Sequence, residues 1–306
     1  MTTKLMTIFT RTPLHVGCGA SVGAVDAPIT RERHTRFPVI PGSSIKGVLA
    51  DLWLEEGVDV EKNAKGELIR KEGSDAYILF GSNSNESNKA KEENGTKETN
   101  EAKKTQAGSL LIGEGKLLAF PVRSAKRCFA WITCPLILKR FVNDTGVQLS
   151  IPKIEQDAAI IASKELCIGN NVVLEEFPFD VVESNGLEEI KQEFSRLSND
   201  KIWKDEVTTR LAIVTDEMFK YFVENACEIA NHNRIDDETG VVAQGALFSQ
   251  ENVPSETMFY SVLNSKKTDV FTMLNDKLVK ENNVLQIGAD ITTGLGWCQV
   301  TMEEIQ

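Results

Sequence analysis

The chain has 306 residues, a formal net charge of −11 and 41% hydrophobic residues. That is material for one large domain or two modest ones around a sizeable core, with an apolar share ordinary for a soluble globular protein. An acidic total argues against a surface that binds polyanions throughout, and neither a signal peptide nor an apolar run long enough for a spanning helix is expected.

Charge is spread unevenly. Lys4, Arg11, Arg31, Arg33, Arg36 and Lys46 face only Asp26 and Glu32 between Met1 and Ala50. A second run, Arg123, Lys126, Arg127, Lys139 and Arg140, contains no acid. A basic face on an acidic body is compatible with this pattern, and the net charge would hide it. The six cysteines are scattered without a Cys-x-x-Cys pair or a histidine cluster, which speaks against structural zinc. Free thiols fit a reducing cytoplasm, with Cys18 the candidate for exposure.

In chain order, Leu5 to Val16 reads as a strand ending near Pro13. Residues 17–36 carry no periodicity and read as a long loop, a kind of segment that is usually functional or disordered. In "IPGSSIKGVLADLWLEEG", Ser43 or Ser44 can cap a helix whose apolar stripe is Ile45, Leu49 and Leu52. Residues 81–107 contain no aromatic, and five lysines offset five glutamates. Such a segment buries too little apolar surface to order itself and reads as a surface insertion. "GSLLIGEGKLLAFPVRS" reads as a hairpin or bulged strand pair, and "KRCFAWITCPLILKRFV" as a helix with Pro135 near its start or at a kink. "NVVLEEFPFDVV" suggests strand. Helical patterns recur around Ile190–Ser195, Asp216–Ala230 and Thr268–Lys280. "TGVVAQGALFSQENVPSETMFYSVL" is glycine-punctuated and β-rich, as a protruding hairpin would be. "VLQIGADITTGLGWCQV" reads as strand, glycine turn, strand. The fold class is α+β with a mostly antiparallel sheet and large insertions.

Taken together, "TPLHVGCG…VDAPI", "FPVIPGSSIKG", "LLAFPVRS…FAWITCP" and "GADITTGLGW" are similar to the repeated backbone subunit of the type III-B CRISPR effector, within the RAMP superfamily. The resemblance covers nearly the whole chain outside residues 81–107. It implies a ferredoxin-like core related to RNA-recognition folds, a helical insertion and a protruding β-hairpin thumb. On this reading residues 1–56 begin the core and include a catalytic loop at 17–36. Residues 57–107 form the insertion, with 81–107 disordered. Residues 108–205 continue the core, 206–265 form the thumb region, and 266–306 close the core with a glycine-rich loop. The resemblance further implies copies stacked along a guide CRISPR RNA beside other Cmr subunits. It implies cleavage of complementary target RNA at six-nucleotide intervals with a divalent cation, Mg2+ or Mn2+, and no organic cofactor or membrane.

The same resemblance places the essential loop acid on Asp26, with His15 and a thumb acid, set at Glu238, as helpers. RNA cleavage needs a proton removed from a 2'-hydroxyl or water and charge on phosphorus offset; a carboxylate serves as base or cation holder. Asp26 could equally stabilise its own turn before Pro28, and His15 could be a hydrogen-bonded sheet-edge residue. No stable metal is expected in the free protein. Ser43, Ser44 and Lys46 at a helix start, Arg123, and the backbone at Gly294 and Gly296 are the candidate RNA contacts. His34 reads as a surface or RNA-proximal group and Trp297 as core. Met258, Phe259 and Tyr260 read either as a wedge between bases or as ordinary packing. Three other readings stay open: a guide-holding scaffold that does not cut, a guide-maturation ribonuclease, and a metabolic α+β protein with an incidental basic loop.

Overall fold

The computed structural model describes residues 1–19, 21, 23–63, 66–82, 106–236, 238–243 and 246–305. In chain order the elements begin β1 (Thr2–Thr10), β2 (Val39–Ile40), α1 (Gly42–Asp51), β3 (Val60–Lys62), β4 (Leu68–Arg70) and α2 (Asp75–Phe80). The middle comprises β5 (Leu110–Ile112), β6 (Gly115–Arg123), β7 (Phe129–Thr133), α3 (Pro135–Thr145), β8 (Ala158–Ile161), β9 (Cys167–Ile168), β10 (Asn171–Leu174) and β11 (Phe177–Val181). There follow α4 (Leu187–Arg196), α5 (Lys201–Arg210), β12 (Leu211–Ile213), α6 (Asp216–Asn225), β13 (Glu228–His232) and β14 (Phe248–Asn252). The last elements are β15 (Met258–Ser265), α7 (Asp269–Lys280), β16 (Val284–Gln286) and β17 (Trp297–Glu304).

The fold is α+β, built on one mixed sheet in the order β16-β17-β1-β15-β6-β7-β12-β8-β11-β10-β9. Pairing is antiparallel except at β7–β12 and β8–β11. Leu5 to Thr10 are six consecutive buried residues, as a central strand covered on both faces requires. On one face Phe9 meets Trp203 of α5 at 5.6 Å between ring centroids, and the Thr7 hydroxyl donates to the Leu197 carbonyl. By the β1–β17 register, Gln299 and Thr301 share that face with Phe9 and Thr7. Trp297 has their parity but lies past the α4–α5 cover, so it is 40% exposed rather than core.

Local sequence accounts for the element boundaries. Pro135 opens α3 rather than kinking it, and left-handed Gly146 closes it. The strand β7 occupies the front half of the stretch expected as one helix, because Phe129 to Thr133 pairs with both β6 and β12. The two runs around Gly113 do not pair with each other; both lie along β15, as one interrupted strand line. Met258, Phe259 and Tyr260 are fully buried in β15, so packing is their role and none wedges between bases. The helix expected to reach Ala230 stops at Asn225, and the chain turns into β13, which pairs with β14 from Glu228↔Asn252 to His232↔Phe248. Residues 83–105 of the polar insertion lie outside the described residues; its ends are joined by the Gly81–Ala107 bridge. No helix among the described residues is long and apolar enough to cross a membrane.

Candidate active site

The segment between β1 and β2 is the long loop, yet its described residues are pinned at several points. Thr30 N donates to the Val16 carbonyl (2.8 Å) and Cys18 N to that of Pro28 (3.2 Å), folding the loop onto itself around Asp26. Its outer side then lies along the free edge of β14. Ala27 N donates to the Ser249 carbonyl (3.0 Å) and Glu251 N to the Ala27 carbonyl (3.0 Å). Leu14 and Val253 exchange bonds of 2.8 and 2.9 Å. Residues 249, 251 and 253 alternate along one edge of a strand, so two arms of the loop, antiparallel at Leu14 and parallel at Ala27, bridge to the edge of the β13–β14 hairpin.

That ladder fixes the acid. The backbone N–H and hydroxyl of Ser249 both donate to Asp26 Oδ2, at 2.8 and 2.9 Å, and Ser249 Oγ accepts from Asp26 N at 3.1 Å. The side chain is exposed, and the Ser249 backbone and then side-chain donors hold its pKa below the ordinary aspartate value. Asp26 is therefore a carboxylate at neutral pH, oriented through Oδ2, while Oδ1 accepts no hydrogen bond from the described residues. A depressed pKa makes it a weak proton acceptor and a firm negative charge.

His15 is buried one step along the same edge, with Nδ1 2.7 Å from the Glu251 carbonyl. A carbonyl only accepts, so Nδ1 carries the proton, and in the neutral ring Nε2 is left as an acceptor beside Gly17. A Cβ on Gly17 would sit 2.7 Å from Nε2. Behind His15 runs the glycine-rich loop. Ala289 N donates to the His15 carbonyl (2.9 Å) and Gly296 N to that of Pro13 (2.8 Å). Gln250 Nε2 joins β14 to this loop, donating to Asp290 Oδ2 at 2.9 Å. Gly296 has a φ of 76°, and a side chain there would run into the Ile287 carbonyl; Gly294, at 86°, faces open space.

The other candidates are more dispersed. Pro41 rather than a serine is the N-cap of α1; Ser43 and Lys46 are exposed and Ser44 half-buried in its opening turns. The Pro41 carbonyl accepts the Ser44 N–H (2.9 Å), and no side-chain hydroxyl of the described residues caps the helix. Arg123 has an 82% exposed side chain, yet it is tied to Glu175 at 2.5 Å. Glu238 lies in the turn at the hairpin tip, its N–H held by Asp236 (3.1 Å), whereas Asp26 is anchored at Ser249 in the paired stem. His34 is exposed, 3.1 Å from Arg140 Nη2. Ser249, Gln250 and Glu251, which organise the site, were not singled out in the sequence; the signal was "FSQEN", an unbroken polar run inside a β-rich stretch.

Among the described residues no three His, Cys, Asp or Glu side chains gather around a common point. Asp26 contributes one open oxygen, which does not fit a resident cation.

The loop that presents Asp26 is thus pinned onto a mixed α+β fold. The chain belongs to the RAMP superfamily, whose pattern its residues 7–299 match. Within that superfamily it is Cmr4-like. It is 37% identical to the CRISPR system Cmr endoribonuclease Cmr4 of Pyrococcus furiosus, over 100% of this chain and 97% of the relative. Oligomeric Cmr4 from Pyrococcus furiosus superposes with a TM-score of 0.70 at 30% identity, covering 100% of this chain and 99% of that one. A chain of the type III-B Cmr-beta complex bound to cognate target RNA shares the fold at 20% identity and a TM-score of 0.68, covering 99% and 97%.

Proposed function

We propose that this chain is an RNA-guided endoribonuclease that also forms the guide-holding backbone of a type III-B Cmr effector, cutting complementary target RNA at six-nucleotide intervals with Asp26 as catalytic residue. Its partners are the guide CRISPR RNA, the target RNA, further copies of itself and other Cmr subunits in the cytoplasm. The full-length similarity to the Cmr4 endoribonuclease carries this reading, and the exposed, hydrogen-bonded Asp26 carboxylate supports it.

Target choice falls to guide pairing, so the protein needs only to recognise backbone and shape. Asp26 Oδ1 accepts a hydrogen bond from the attacking 2'-hydroxyl or water and orients it, since fixing the nucleophile lowers the barrier without a base of matched pKa. His15 takes the proton at Nε2, the one acceptor its Nδ1–H···Glu251 bond leaves free. Glu238, in the turn at the hairpin tip, is the thumb helper on this reading and meets RNA from there. Ser43, Ser44 and Lys46 at the start of α1, Arg123, and the backbone around Gly294 and Gly296 hold phosphates. Mg2+ or Mn2+ would be held by Asp26 only with RNA bound, and would offset negative charge on phosphorus.

The test uses the assembled ribonucleoprotein with guide, end-labelled target and Mg2+. Wild type is expected to give regularly spaced cuts, and Asp26→Ala none, with target still bound; a chelator should abolish cutting by wild type. Equal cutting by both proteins would make Asp26 structural, and binding without cutting by wild type would leave a scaffold.

A further inference from the structure

Arg31 is the one cation of the loop that turns inward. Its side chain is 4% exposed, and Nη2 donates to Glu251 Oε1 at 2.5 Å, with the Glu251 side chain 11% exposed. Nη1 donates to the carbonyls of Val223, in α6, at 2.9 Å and of Arg36 at 2.8 Å. Nη2 also meets Cys227 Sγ at 3.3 Å. Burial pushes the Cys227 thiol up to about 12, so it is neutral near pH 7 and Glu251 is the counter-ion.

Glu251 is bound on three sides. Its Oε1 holds Arg31, its Oε2 accepts from Ile29 N at 3.1 Å, and its carbonyl accepts from His15 Nδ1. Its own N–H donates to Ala27, the residue after Asp26. One glutamate thus meets both arms of the loop that flank Asp26 and sets the tautomer of His15. Replacing a buried ion pair by apolar groups is often tolerated energetically, whereas removing one partner strands a charge. The pair need not exist for stability alone.

We infer that Arg31 and Glu251 are positioning residues for RNA cleavage: a buried ion pair that locks the Asp26 loop to the β14 edge and sets Asp26 and His15 in register. This rests on Asp26 being catalytic.

The test again uses the assembled complex, with single-turnover cleavage, target affinity and thermal melting read for wild type, Glu251→Gln, Arg31→Met and the double variant. Each single variant strands a buried polar or charged partner and is expected to melt earlier and cut more slowly. The double variant removes both charges. Its melting temperature is expected to recover toward wild type while cleavage stays slower by on the order of 10- to 100-fold at unchanged target affinity. Arg31→Lys, which keeps the charge, should retain more of the rate than Arg31→Met. Recovery of cleavage together with melting would overturn the inference, because the pair would then be structural only. Unchanged cleavage in the single variants, or a double variant that cannot assemble, would overturn it as well. If wild type does not cut, the assignment of the nuclease fails first, and that outcome is distinct from all of these.

Discussion

Ser249 gives Asp26 its chemistry. The backbone N–H of Ser249 would survive substitution, but its hydroxyl both donates to the Asp26 carboxylate and accepts from the Asp26 N–H. Because the folded pKa is depressed, the charge is present at all pH values above it and is lost only as pH falls through that lowered value. Ionisation of Asp26 therefore contributes no acidic limb to cleavage between roughly pH 5 and 8. In Ser249→Ala the pKa should rise toward the ordinary aspartate value and the carboxylate should lose its fixed orientation. Cleavage is expected to slow by about tenfold with target binding unchanged. A pH–rate profile of the two complexes under single turnover checks both points; an inflection inside that window that moves with the substitution would show Asp26 titrating there and refute the assigned role.

At the scale of elements, legibility followed local chemistry. Pro135 marked either a helix start or a kink, and the glycines marked the closing strands, because those residues restrict backbone geometry wherever they occur. The β7 strand was not legible, since Phe129 to Ile132 is apolar on every residue and only its two sheet neighbours decide between helix and strand. Asp26 and His15 stood out through their resemblance, while the strand that aligns them did not, because the link from Ser249 to Asp26 spans 223 residues. The glycine-rich connection from β16 to β17 offers a contrast that tests this reasoning. Gly296→Ala forces a left-handed residue and a clash with the Ile287 carbonyl, so it is expected to cost more than about 2 kcal/mol. Gly294→Ala meets open space and should cost only about 1 kcal/mol, with its larger effect on RNA affinity. Denaturant melts of both variants separate the cases; equal destabilisation would mean that the loop rearranges freely.

For the whole molecule, the two basic runs are largely spent inside the chain. Lys4, Arg11, Arg31 and Arg36 pair with Glu304, Asp200, Glu251 and Glu224. Arg123 pairs with Glu175, Arg127 with Glu165 and Glu206, and Arg140 with Glu32. Of the cations in those two runs, Arg33, Lys46, Lys126 and Lys139 are exposed with no ion pair among the described residues, so the basic face that these runs allowed is sparse. Four unpaired cations in these runs gain little from counterion release at each copy, so on the proposed reading firm guide binding comes from many copies acting along one RNA. Lys46, in the second turn of α1, is an exposed cation near the helix N-terminus proposed to hold phosphate. Lys46→Ala is expected to weaken guide binding to a similar degree for guides of different sequence. It should also lower the slope of log affinity against log salt by about 1 for each copy bound. Binding measured over a salt series with two unrelated guides decides it. A sequence-dependent loss would mean that Lys46 reads bases, and an unchanged slope would mean that it faces solvent in the complex.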